Sequence, residues 1–148
     1  MSHINMFVTV FYGILDTDTG ILIYCNAGHN PPYLLSTQSD ETVQELRNTG
    51  MVLGAVEDVT LKQETVQLAA EDVLLLYTDG ITEAQNLQQE LFGEKRLLET
   101  LQANRKRPAK DIQDSILAKV QEFVGDAPKS DDITSIVIVR GLPRGANQ

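Results

Sequence analysis

The 148-residue chain is 42% hydrophobic and 22% charged, a balance that suits one soluble globular domain. Its 12 basic and 21 acidic residues leave a formal charge of −9, which opposes long-range attraction to nucleic-acid backbones and anionic lipid. No stretch nears the ~20 apolar residues of a membrane span, and Met1 to Asn5 lack the basic and apolar regions of a secretion signal, so the expectation is a cytoplasmic protein without nucleic acid or membrane insertion. The single Cys25 can form neither an internal disulfide nor a multi-cysteine zinc site, and its apolar neighbours predict a small core residue rather than a nucleophile.

Met6 to Asp16 is rich in β-branched and aromatic residues, and Asp16-Thr-Asp-Thr-Gly20 supplies turn formers before a second such run, Ile21 to Asn26. Together they predict a β-hairpin. Pro31 and Pro32 fix their own φ and push Asn30 out of helical space, so a third short strand, Tyr33 to Ser36, follows that break. The polar stretch Thr37 to Asn48 suits an exposed strand or a loop, and the partial alternation of Leu61 to Leu68 suits a half-exposed strand. Val73-Leu-Leu-Leu-Tyr77 has no alternation and is bounded by acids and Asp79-Gly80, the pattern of a central strand buried on both faces.

Beyond it the period changes. Leu97, Leu98 and Leu101 share one side of a short helix, and Ile112, Ile116, Leu117, Val120, Phe123 and Val124 form a stripe of helical spacing. Pro108 near the start and Gly125 just past the end follow the asymmetry of helix termini. Ile133 to Val139 then predicts a closing strand. Strands, two helices and a final strand define an α+β class with antiparallel sheet covered by helices. No Gly-rich loop joins a strand to a helix, which disfavours a Rossmann-like nucleotide fold.

Two places offer chemistry. In Leu76-Tyr-Thr-Asp79-Gly80-Ile-Thr-Glu83-Ala84 a carboxylate stands at the end of the buried strand, and the glycine permits an abrupt turn. In Ser130-Asp131-Asp132-Ile133-Thr134 two acids stand at the start of the last strand. If those strands are antiparallel, Asp79 comes near Asp131 or Asp132, and carboxylates without cysteine and with little histidine suit hard ions such as Mg²⁺ or Mn²⁺. Taken singly, each also has a plain structural reading: Asp-Gly is a common turn, and Asp-Asp before a strand can be a solvated cap.

Five segments add to this: Met6-Phe-Val-Thr-Val-Phe-Tyr-Gly-Ile-Leu15, Asn26-Ala-Gly-His-Asn-Pro-Pro32, Leu76-Tyr-Thr-Asp-Gly-Ile-Thr-Glu-Ala84, Phe92-Gly93 and Asp131-Asp-Ile-Thr134. In this order they resemble the bacterial stage II sporulation protein E type phosphatases, a branch of the metal-dependent type 2C serine/threonine phosphatases (PPM superfamily). The likeness covers most of the chain, from about Asn5 to Arg140. It implies a protein phosphatase 2C-like antiparallel β-sandwich flanked by helices (αββα), with residues 1–140 as the C-terminal part of that domain and residues 141–148 as a flexible tail. It also implies two Mn²⁺ or Mg²⁺ ions at one end of the sandwich, with Asp79 and Asp132 as ligands and Asp131 as the alternative to Asp132. The reaction so implied is hydrolysis of phosphoserine or phosphothreonine by a metal-activated water, with no protein nucleophile. The implied substrate is a phosphorylated regulatory protein such as an anti-anti-sigma factor.

Two departures bear on that reading. The family's earlier Gly-Asp motif should precede Met6 and has no counterpart here, so the N-terminal part of the domain is expected to be missing, and this polypeptide by itself is expected to be inactive and able to form homo-oligomers through exposed sheet. His29 stands where the eukaryotic enzymes carry an aspartate, which bears on a third metal site. His29 reads first as the residue that orders a proline-rich turn, with a general-acid or ligand role as its alternative. Glu83 reads as an acid of a first helical turn or as a partner of metal-bound water, and Arg105-Lys106-Arg107 as a solvated cluster or a phosphoprotein contact. The competing class is a non-catalytic regulatory or interaction module.

Overall fold

The structure, a computed structural model, describes residues 8–37, 42–50, 62–129 and 131–142. Its strands are β1 (Val10–Leu15), β2 (Ile21–Ala27), β3 (Tyr33–Leu35), β4 (Val43–Glu45), β5 (Glu64–Gln67), β6 (Val73–Tyr77) and β7 (Ser135–Val139). The helices are α1 (Asp79–Thr82), α2 (Gly93–Ala103) and α3 (Ala109–Val124). The strands form a three-stranded sheet of order β1-β2-β5 and a four-stranded sheet of order β4-β3-β6-β7, antiparallel throughout.

Period-two alternation decides how these sheets stack. On β3 and β6, Tyr33, Leu35, Val73, Leu75 and Tyr77 join a core with Leu97 and Leu101 of α2 and with Ile112, Ile116 and Val120 of α3. The intervening Leu34 and Leu74 face the other way and pack with Leu22, Tyr24, Leu46 and Leu68 between the two sheets. The β3–β6 pair is therefore the shared wall of two cores. This is why Val73–Tyr77 shows no polar alternation, as expected of a central strand. Each fully buried Leu or Ile in these layers adds about 1.5–3 kcal/mol of transfer free energy.

The helices end where the sequence places their breakers. Pro108 is the residue before α3 and needs no partner for an N–H it lacks, and Gly125 ends the helix at φ 57°. Asp16 organises the β1–β2 turn, where its carboxylate accepts the N–H groups of Asp18 and Thr19 at 2.9 and 3.2 Å. Those donors, Thr19 foremost, hold its pKa below the usual value. At the same end of the sandwich Arg140, just past β7, donates to the carbonyls of Leu68 at 2.6 Å and Asp18 at 3.0 Å. Its backbone N–H bonds Asp72, and its carbonyl accepts from Glu71.

Several expectations need adjustment. β5 occupies only Glu64–Gln67 within the expected Leu61 to Leu68 strand, with Val66 half-buried and its neighbours exposed. The polar Thr37 to Asn48 stretch contributes the short β4. Cys25 is half-buried, not a core residue, because antiparallel register sets it opposite exposed Tyr12 while Tyr24 and Asn26 take the inward positions. Met6 and Phe7 at the start of the expected hairpin, Leu61, Ser130, His3 and residues 143–148 of the expected tail lie outside the described residues.

Among the described residues the helices lie on the four-stranded sheet only. The outward face of the three-stranded sheet carries Tyr12 at 60%, Ile14 at 59% and Ile23 at 40% exposure, with Ile14 and Ile23 directly opposite each other. An apolar face of this kind beside the exposed edge of β1 favours association. The purified 148-residue chain is expected to scatter light as species larger than a monomer, and the Tyr12→Lys, Ile14→Lys double variant should shift it toward monomer. A monodisperse wild-type monomer would contradict this.

Candidate metal centre

The end of β6 and the start of β7 meet at one end of the four-stranded sheet. Tyr77 pairs with Ser135, and one residue on the Thr78 N–H donates to the Thr134 carbonyl at 3.2 Å. The chain then turns directly into α1, whose first residue is the exposed Asp79. The antiparallel pairing expected from the sequence is thus present. It sets the Asp79 segment against the Asp131-Asp132 segment.

Gly80 makes the approach possible. A Cβ at that position would stand 1.8 Å from the Asp132 carbonyl oxygen and 2.8 Å from its carbon, where no side chain fits. The glycine is required here by proximity of backbone, not by an unusual φ. Gly80→Ala is expected to force these segments apart and to destabilise the fold by about 1–3 kcal/mol, read from the midpoint of urea unfolding. An unchanged midpoint would show that the contact is looser than described.

The two acids of the second segment differ. The Asp131 carboxylate accepts the N–H of Asp132 at 2.7 Å, which ties it to its own backbone. The Asp132 side chain is 96% exposed, with Lys129 Nζ 3.7 Å away as its ion-pair partner. A surface pair of that kind holds the carboxylate weakly, so Asp132 is the freer donor of the two. Asp131 also borders a cavity of about 240 Å³ that runs past Gly80 and Ala84 to Val120 and Val124 of α3.

A third segment reaches the same place. Buried Asn26, at 0% exposure, donates from Nδ2 to the Leu46 carbonyl and accepts the His29 N–H on Oδ1, both at 2.9 Å. Gly28, at φ 79°, lets the chain reverse, and His29 Nδ1 lies 3.0 Å from the Asn30 carbonyl. A carbonyl only accepts, so Nδ1 carries the proton in this contact. The ring thereby braces the turn, as its plainer reading anticipates, while also lining a cleft of about 280 Å³ between the sheets with Phe11, Thr78 and Thr134. Asn30 Nδ2 donates to Asp79 Oδ1 at 2.5 Å. Sequence reasoning gave Asn30 no role of its own, reading it as the residue before a proline and as one position of the Asn26 to Pro32 segment.

Two other expected contributors have local partners. Glu83 is exposed, and its N–H caps the Asp79 carbonyl at 2.8 Å. Arg107, in the turn between α2 and α3, bonds Asn104 and pairs with Asp111. Among the described residues no group of three or more His, Cys, Asp or Glu side chains is gathered closely enough to hold a metal ion. Asp79 and Asp132 nevertheless fit a hard divalent cation in kind, being exposed oxygen donors at one sheet end.

Two antiparallel sheets stacked face to face, with helices on the outside and acids where β6 ends and β7 begins, define a protein phosphatase 2C-like domain. The chain matches the stage II sporulation protein E (SpoIIE) family over residues 1–141 and belongs to that family. It is 34% identical over 139 residues to the phosphoserine phosphatase RsbU of Bacillus subtilis (strain 168), covering 92% of this chain and 40% of RsbU. The crystal structure of the RsbU and RsbW domains of Rv1364c from Mycobacterium tuberculosis aligns with a TM-score of 0.72 at 26% identity, over 93% of this chain and 37% of that one. A manganese-presoaked structure of the phosphatase domain of SpoIIE from Bacillus subtilis aligns with a TM-score of 0.68 at 16% identity, over 93% of this chain and 58% of that one, a likeness of fold. The chain spans between 21% and 40% of the length of three curated relatives it matches.

Proposed function

We propose that this chain is part of a metal-dependent protein serine/threonine phosphatase that hydrolyses phosphoserine or phosphothreonine on a regulatory protein, an anti-anti-sigma factor being the substrate class the family suggests. The observation that carries this is the β6–β7 register, which brings the Asp79 and Asp132 segments to one sheet end. In this reading Asp79 and Asp132 hold Mn²⁺ or Mg²⁺, with Asp131 as the alternative to Asp132, and Asn26 and His29 keep the adjoining turn in shape. Bound divalent ions would neutralise phosphate charge and activate the attacking water. The chain's own part is to present exposed carboxylates on a rigid strand end, which limits reorganisation when substrate arrives.

The test uses the parent protein and a phosphoserine protein substrate. Phosphate release is expected with Mn²⁺, lost with chelator and restored by added Mn²⁺, with no phosphorylated enzyme trapped by acid quench. Full turnover in chelator, or a covalent phosphoenzyme, would overturn the reading. Either result would leave a different hydrolase chemistry to explain the fold, whereas no phosphate release under any metal condition would favour the non-catalytic module.

A further inference from the structure

We propose that Asn30 is a positioning residue for the Asp79 carboxylate, holding one of its oxygens so that the other is presented to a divalent cation. The inference rests on the reading of Asp79 as a ligand and goes beyond it, since it assigns the site a supporting residue from a different sheet connection. Its first observation is the 2.5 Å bond from Asn30 Nδ2 to Asp79 Oδ1 across 49 residues of sequence. A carboxylate can only accept, so the amide nitrogen must face it.

The second observation is how firmly Asn30 is itself held. Upstream, Asn26 is fully buried; its N–H donates to Thr49 Oγ1 at 2.9 Å, and its carbonyl accepts the Thr49 N–H at 2.8 Å. Its side chain, as described, closes the turn onto Leu46 and His29. Downstream, Pro31 and Pro32 restrict φ and lead into β3, which pairs with β6, the strand that leads into the Asp79 turn. Between these anchors His29 Nδ1 holds the Asn30 carbonyl. The backbone on either side of Asn30 is therefore anchored where its amide meets Asp79.

The consequence is directional. Asp79 sits exposed on the first turn of a four-residue helix, where an unassisted carboxylate would rotate freely. The Asn30 bond engages Oδ1 and restricts rotation of the group, which leaves Oδ2 for a cation. Partners that orient a ligand in this way typically change metal affinity by about 10–100-fold. Asn30 should thus act on cation affinity far more than on the rate once the site is filled.

The test is made on the parent protein with Asn30→Leu, which keeps the branched shape and removes the donor, and Asn30→Ala, which removes both. Mn²⁺ alone is titrated by calorimetry without substrate, and phosphatase activity is followed against Mn²⁺ concentration, with Asp79→Ala in the same series. The expected result is a Kd for Mn²⁺ raised about 10–100-fold in both Asn30 variants, with kcat at saturating Mn²⁺ within about threefold of the parent. An Mn²⁺ Kd within twofold of the parent in both Asn30 variants, with Asp79→Ala abolishing binding, overturns the positioning role alone. Unchanged Mn²⁺ binding in Asp79→Ala overturns the ligand reading beneath it.

Discussion

Asp79→Ala in the parent protein is expected to cut Mn²⁺-dependent phosphate release by more than the roughly 10–100-fold that a lost supporting residue costs, while the fold persists. The residue is exposed and belongs to neither core, so its truncation removes a donor without opening a cavity. Asp132→Ala should match it for the same reasons, its side chain being almost wholly in solvent. Asp131→Ala should cost less, because one of its oxygens is turned back onto the N–H of its own neighbour. The measurement is phosphate release from a phosphorylated protein, with circular dichroism melting as the control for folding. Full activity in Asp79→Ala or Asp132→Ala would count against that residue as a ligand, and a larger loss in Asp131→Ala would exchange the roles of the two neighbours.

The second large effect concerns the 148-residue chain on its own. Two carboxylates on adjoining segments supply too few oxygens for a rigid pair of ions, and water must fill the remaining positions. No third acidic or histidine ligand joins them among the described residues. The purified chain is therefore expected to show negligible turnover in excess Mn²⁺ and, by calorimetry, at most one ion bound at roughly 10⁻⁴ M or weaker. Robust turnover, abolished by chelator and restored by Mn²⁺, would show that these residues suffice or that the centre lies elsewhere.

How much of this was legible beforehand differs by the range of the interaction. Val73–Tyr77 was readable as a central strand because burial on two faces leaves no polar position, and α3 was readable because Pro108 and Gly125 mark its ends locally. The proximity of Asp79 to Asp132 followed from one assumption, that β7 runs antiparallel to β6, which holds. Strand order was not legible: nothing in Tyr33–Leu35 says that it pairs with β6 on one side and β4 on the other. Cys25 was misread because apolar neighbours in a strand do not reveal which face an individual residue takes; its register against Tyr12 does. Asn30 was missed for a related reason. An amide before a proline signals only backbone restriction, and its partner lies in a different part of the sequence.

The fastening of Arg140 has a consequence for the opposite end of the molecule. Strands of alternating pattern resist a one-residue frame shift, which would turn every side chain to the wrong layer, but a two-residue shift preserves the pattern. Such a shift of β7 along β6 would keep each side chain on its own side of the sheet and yet displace Asp132 by about 7 Å relative to Asp79. Arg140 bonds backbone atoms of Leu68, Asp18 and Asp72, so the strand is indexed by groups that no substitution of their own side chains removes. The alignment of the acids is thereby set at the far end of β7, and losses of activity without losses of stability are to be sought there as well as beside Asp79.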